Sequence, residues 1–363
     1  MKVLSPSSIS RLYTPSTCDL RTWLKSKGEI EETPAGPFQV FLREQGIRHE
    51  KAVVDQLVKE CANWVDIDGF KNSKAVEETR AAIDARVEFI YQGQLQQETE
   101  LNGEPVRVMG YPDFLLLRDG GYTIGDAKLA RSIYEVKEDG SRKLKRKKKY
   151  IVCQLQLYGW LFSKQFPELK FDLVVFNGAG EQERIDFPED EGEVLGELEY
   201  ILTIEALAEE PWEPVGWSKC SVCGFFDYCW PRARDEKALG YVLDIDLPLV
   251  TRLRDERIET YPELAAKLDV NALADLKSPS SKGKKDRNIA PAERILQNIQ
   301  ALVAGEPLRR ITGGQKVPVD PRLLEDDHYV MFDLEGVPPD LDDWDKIYLW
   351  GMQVFGTSKG EFR

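Results

Sequence analysis

Asp113, Asp126 and Lys128 have the types and spacing of a cation site. Asp113 follows the turn Gly110-Tyr111-Pro112, and Asp126 and Lys128 stand two apart in a run of alternating apolar residues. Strand side chains at i and i+2 project from one face, so Asp126 and Lys128 share a face. If the two runs pair as a hairpin, Asp113 comes within reach of Asp126. Two converging carboxylates make a hard oxygen site suited to Mg²⁺ or Mn²⁺. An adjacent ammonium can orient a water and stabilise charge building on a phosphate. The plain alternative is a salt-bridged Asp–Lys pair on an exposed sheet face. The flanking Ile124, Ala127 and Leu129 weigh against it, because unpaired charge in an apolar strand is costly.

Further side chains can join the site. His49, one of two histidines, lies on a helix upstream, where a neutral imidazole can supply a third ligand. Taken alone it reads equally as a surface helix residue. Gln154 and Tyr158 are four apart on a later helix and share a face, placed to touch the site or a phosphate, or simply to be polar helix surface.

Six cysteines stand at 18, 61, 153, 220, 223 and 229. Cys220, Cys223 and Cys229 offer three thiolates within ten residues. A structural zinc site usually brings two close ligand pairs, and no second pair exists in the sequence. Three clustered thiolates with a distant fourth suit a [4Fe–4S] cluster instead. Cys61, ending a helix, and Cys153, inside one, read as buried thiols, which leaves Cys18 the freest candidate. Closing the chain between Cys18 and Cys220 would be worth roughly 5 kcal/mol as an upper figure.

The elements that must position these groups follow from periodicity. Short helices occupy the first 24 residues, an amphipathic helix runs from about Phe38 to Ala62, and another is expected over 74–95, with Val76, Ile83, Val87 and Ile90 near one face. Gln97–Leu101, Val106–Met109, Asp113–Arg118 and Tyr122–Leu129 read as a strand meander punctuated by glycine turns. A basic loop, a helix from Tyr150 to Lys164, strands at Phe171–Asn177 and near Arg184–Phe187, and an acidic helix over Glu189–Glu209 lead to the cysteines. The fold class is α/β, a central mixed sheet flanked by helices over residues 1–231. A polar helical region spans 232–310, broken by a Ser/Gly/Lys linker at 278–287. Residues 325–363 read as strand, loop, strand, too few strands for a core, and are expected to be the truncated start of a further domain or to be completed by something outside this chain.

The chain has 363 residues and a net charge of −14, which by itself speaks against a polyanion partner. The charge is segregated, however. Seven of the nine residues from Ser141 to Lys149 are basic: Arg142, Lys143, Lys145, Arg146, Lys147, Lys148 and Lys149. Between Glu181 and Glu213 there are thirteen acidic residues and one basic, Arg184. The basic run is either a solvated loop or a DNA contact. No apolar stretch of about 18 residues exists, and Met1–Pro6 lacks a secretory core, so no membrane is expected and the cytoplasm is the default address.

In order along the chain, Cys18, GIRHE (46–50), GYPDF (110–114), GDAKLA (125–130), QLQLY (154–158) and CSVCGFFDYC (220–229) resemble the RecB-like branch of the PD-(D/E)XK nucleases with an iron–sulfur staple. That branch includes CRISPR-associated RecB-like exonucleases, the AddB nuclease domain and uncharacterised RecB-like proteins. The resemblance covers residues 1–231 and implies a restriction-endonuclease-like core. It implies that His49, Asp113 and Asp126 bind Mg²⁺ or Mn²⁺, and that Lys128 is the catalytic lysine. It also implies that Gln154 and Tyr158 support the site and contact DNA, and that Cys18, Cys220, Cys223 and Cys229 ligate a [4Fe–4S] cluster. One departure is Asp126, where the superfamily often carries Glu. The implied activity is cleavage of DNA, often exonucleolytic on single strands, in repair, recombination or CRISPR-like processing. A helicase or another nuclease-complex subunit is the implied partner.

YVMFDLEGVPP (329–339) is similar to the first motif of DEDD exonucleases of the ribonuclease H-like fold, with Asp333 and Glu335 as a secondary carboxylate pair. Residues 243–276 look like a degraded helix–hairpin–helix that lacks its phosphate-gripping glycine. The competing class is a catalytically silent iron–sulfur module that binds DNA or assembles a larger complex.

Overall fold

The computed structural model describes residues 1–68, 72–137, 139–277 and 286–305, with side chains from 289 in the last span, and the backbone of 328–337 and 346–356. The linker expected at 278–287 lies outside the described residues over 278–285.

The architecture is mixed α/β. Six strands form the main sheet: β2 (Trp64–Asp66), β3 (Phe89–Tyr91), β6 (Phe114–Arg118), β7 (Gly121–Lys128), β10 (Phe171–Asn177) and β11 (Gln182–Ile185). Their spatial order is β11-β10-β7-β6-β3-β2. The pairs β10–β7 and β2–β3 are parallel, and the other three are antiparallel. A three-stranded sheet joins β1 (Lys2–Leu4), β5 (Glu104–Gly110) and β4 (Leu95–Leu101). A small hairpin pairs β8 (Tyr134–Val136) with β9 (Arg142–Leu144).

The main sheet is covered on both sides. Alternate side chains of its central strands face opposite ways. Leu115, Tyr122, Ile124, Leu173 and Val175 join one core with residues of α5 (Lys149–Gln165) and α6 (Glu191–Glu205). Phe89, Phe114, Leu116, Val174 and Phe176 join a second core with Leu57 and Cys61, at the end of α3 (Pro37–Glu60). The N-terminal α1 (Ser10–Tyr13) and α2 (Asp19–Lys27) flank the first core, and α4 (Ala75–Asp84) packs beside β4. The cysteine segment forms α7 (Trp217–Cys220) and α8 (Phe226–Asp235). Helices α9 (Leu247–Asp255), α10 (Tyr261–Lys267), α11 (Val270–Lys277) and α12 (Asp286–Ala304) enclose a separate core around Leu249, Leu253, Leu273 and Ile295. The tail contributes β12 (His328–Val337) and β13 (Lys346–Gly356), an antiparallel pair. Among the described residues no helix is long and apolar enough to cross a membrane.

Two sequence expectations change. The helix expected over 74–95 stops at Asp84, and Phe89–Tyr91 is strand β3. Arg86 takes a left-handed φ of 57°, which ends the helix, and the β-branched and aromatic residues after it pair with β6. The basic loop is half ordered secondary structure. Arg142–Leu144 is a strand, and Arg146–Lys148 is a 3₁₀ turn that runs directly into α5.

Candidate functional site

The β6–β7 hairpin builds the carboxylate pair. Phe114 pairs with Gly125, so Asp113, one residue before, comes level with Asp126, one residue after. Gly125 is required by packing beneath the strand. A Cβ there would stand 2.7 Å from the Phe176 ring and 3.2 Å from the Phe114 ring, which meet edge to face at 5.1 Å. The two rings fill the α3 side of the sheet, and Asp113, Asp126 and Lys128 project to the α5 side with Leu115 and Ile124.

Asp113 Oδ2 accepts the Ala127 backbone N–H at 2.8 Å. Asp126 is buried, 2% exposed, and its Oδ2 accepts no hydrogen bond of ordinary geometry. Instead it is ion-paired with the Lys128 ammonium. Burial raises the proton affinity of Asp113, and the Asp126 charge raises it further, against smaller opposing effects from Lys128 and the Ala127 N–H. Burial alone would lower the pKa of Lys128. The carboxylates of Asp126 and Asp113 outweigh it, and the net direction is upward, so the ammonium is kept. A buried and a half-buried carboxylate, crowded together and balanced by one ammonium, form a donor set that a divalent cation would satisfy.

Helix α5 closes the site from above. Gln154 Nε2 donates to the Tyr158 hydroxyl at 2.8 Å, both side chains buried. The phenol of Tyr158 is pushed well up by burial and then by the charges of Asp126 and Asp113. Tyr150, at the helix start, is shifted up by burial and feels Lys128 and Asp126 in opposite senses. The expected pair from this helix therefore stands at the carboxylates.

Helix α3 brings a group that spacing did not single out. Glu50, the last residue of GIRHE, contributes a third negative charge felt by Asp113. Its Oε1 accepts from the Tyr91 hydroxyl at 2.8 Å and from Gln92 Nε2 at 3.2 Å. The glutamate beside a candidate histidine was the available signal. His49 lies half-buried at the same helix level, with Nε2 3.1 Å from the Phe176 carbonyl oxygen. Its imidazole is thus engaged with a strand end on the α3 side. With Lys128 on Asp126 and His49 on a carbonyl, no group of three or more His, Cys, Asp or Glu among the described residues is set to hold a metal ion as the side chains stand.

The four expected cysteines come together from 200 residues apart in sequence. Cys18, Cys220, Cys223 and Cys229 line one small pocket, with Leu20, Leu24 and Phe225 packed around it. The thiols of Cys18 and Cys229 are pushed up to about 12, chiefly by burial and in smaller part by neighbouring cysteines. Cys220 is raised by burial and by Cys223. These four thiols, Cys18 and Cys223 half-buried and Cys220 and Cys229 buried, are the residues that would hold a thiophilic centre, although as the side chains stand they too form no group set to bind a metal ion. Cys61 and Cys153 are buried elsewhere, in the α3 and α5 cores.

The basic run is divided. Lys145 Nζ donates to the Ser132 carbonyl at 3.0 Å, and Lys149 pairs with Glu197 of α6 at 2.7 Å. Arg142 and Lys143 are exposed on β9, Arg146 and Lys147 on the 3₁₀ turn, and Lys148 is half-buried beside them. Asp333 and Glu335 lie on β12, opposite Gly351 and Leu349 in register; their side chains are outside the described residues.

No family model matches the chain, and no curated protein matches it. Among solved structures, the crystal structure of SSO0001 aligns with a TM-score of 0.32 at 15% identity, over 63% of this chain and 85% of that one. A Eubacterium rectale protein named as a putative exonuclease aligns with a TM-score of 0.32 at 18% identity, over 56% of this chain and 81% of that one. Likenesses this distant carry no weight for the site or its chemistry.

Proposed function

We propose that this chain is a metal-dependent deoxyribonuclease of the RecB-like PD-(D/E)XK kind, acting in the cytoplasm on single-stranded DNA or duplex ends, with a helicase or second nuclease subunit as partner. One observation carries the reading: Asp113, half-buried, and Asp126, buried, meet across a single hairpin beside a lysine held in its charged form. Mg²⁺ or Mn²⁺ bound there would supply Lewis acidity and a water of lowered pKa. Asp113 and Asp126 are the residues to hold it, and Glu50 adds charge from α3. Lys128 keeps its proton at neutral pH and offers positive charge to phosphate oxygens. Gln154 and Tyr158 form a buried polar pair that positions the α5 side of the pocket. The pocket of Cys18, Cys220, Cys223 and Cys229 is assigned to a [4Fe–4S] cluster acting as a staple.

A second reading, the silent DNA-binding or assembly module, has its own support. The Lys128 ammonium and the His49 imidazole both have protein partners, as they would in a structural ion-pair network. Labelled single-stranded DNA incubated with Mn²⁺ separates the two. Cleavage by the native chain, reduced at least about 100-fold in Asp126→Ala, is the outcome for an enzyme. DNA retained intact by both proteins would leave the silent module.

A further inference from the structure

Three cations from separate parts of the chain line one groove and lack partners among the described residues. Arg146 and Lys147 come from the 3₁₀ turn before α5, and Lys219 comes from α7, beside Cys220. None makes a side-chain hydrogen bond or ion pair among the described residues, whereas their neighbours Lys145 and Lys149 are both engaged. The hydroxyls of Ser16 and Thr17, next to Cys18, line the same groove. One carboxylate, Asp246, also faces it, and that group is occupied as the cap of α9, accepting from the Leu249 N–H at 3.1 Å. The groove therefore has three uncommitted positive charges against one committed negative one.

Its position ties it to the carboxylate site. The turn bearing Arg146 and Lys147 enters α5 without a break, and Tyr150 already lies within the field of Lys128 and Asp126. Tyr150 stands three positions after Lys147, a rise of roughly 4.5–6 Å across the 3₁₀ turn and the start of the helix. The groove and the carboxylate site thus share the start of α5.

We propose that this groove grips the backbone phosphates of the single strand being delivered to the carboxylates, with Arg146, Lys147 and Lys219 as phosphate contacts and Ser16 and Thr17 as hydroxyl donors. The cysteine pocket then does more than staple the fold, because it carries Lys219 and Ser16–Thr17 on its rim and so builds one wall of the binding track. The choice of a nucleic-acid strand as the polyanion rests on the nuclease reading.

The test is binding of a fluorescent single-stranded oligonucleotide in EDTA over a ladder of salt concentrations, which needs no cleavage. Lys219→Gln should flatten the slope of log affinity against log salt by about 0.7, and the Arg146→Gln/Lys147→Gln pair by about 1.4. Lys59→Gln, on the exposed outer side of α3, should leave the slope unchanged. Lys219→Arg should restore it, which separates lost charge from a disturbed cysteine pocket. An unchanged slope in Lys219→Gln, a loss that Lys219→Arg fails to rescue, or no binding by the native chain overturns the groove. Native binding with the expected slopes but no Mn²⁺-dependent cleavage overturns the nuclease reading and leaves the groove standing.

Discussion

Burial raises the proton affinity of Asp113, and the charge on Asp126 raises it again. A carboxyl that binds its proton more tightly folded than unfolded stabilises the fold below its ordinary pKa and gives that up as pH rises through the raised value. Asp113→Asn should therefore raise the melting midpoint of the metal-free protein at neutral pH, by roughly 2–4 °C for each kcal/mol relieved. The gain should fade toward about pH 3, where the native carboxyl is protonated in both states. Melts in EDTA across that range check it, and a gain undiminished in acid would contradict the cause given. Glu50 can be tried in the same spirit. Glu50→Gln leaves a side chain that still reaches Tyr91 and Gln92, and should raise the Mn²⁺ needed for half-maximal cleavage by roughly 10- to 100-fold. An unshifted metal dependence would remove Glu50 from the site.

Much at the level of elements was legible. Alternation and glycine turns gave the β6–β7 hairpin, and with it the meeting of Asp113 and Asp126, because pairing geometry leaves little freedom once a tight turn is fixed. The helical spacing of Gln154 and Tyr158 likewise carried through to a shared buried face. Chain separation hid the rest. Glu50 reaches Asp113 only because α3 packs over β3 and β6, a contact that no local period announces. The basic run looked uniform in sequence, yet its division into bracing and open residues depends on where Ser132 and Glu197 come to lie. Short β3 reads as helix in the sequence because apolar residues near one helical face also fit a brief strand. Gly125 tests the hairpin itself. Gly125→Ala would overpack the Phe114–Phe176 contact, destabilising by about 1–3 kcal/mol and tilting Asp126, so cleavage should fall as well. Urea unfolding with a parallel activity assay reads both, and an unaffected variant would mean that the rings yield freely.

Across the whole molecule, the cysteine pocket brings the N-terminal Cys18 beside the segment that follows α6. The proposed cluster would hold those ends together and remove freedom from the unfolded chain, with an upper value of about 5 kcal/mol. Cys18→Ala should give protein with lower visible absorbance and a lower urea midpoint. A native preparation that is colourless and carries zinc would contradict the cluster assignment. The proposed catalysis depends on two carboxylates from one hairpin taking up a divalent cation. Counting Mn²⁺ bound per chain by electron paramagnetic resonance, without DNA, addresses that directly. The native protein should bind Mn²⁺ with a stoichiometry that drops by at least one ion in the Asp113→Asn/Asp126→Asn pair, whereas equal binding by the two proteins would contradict it.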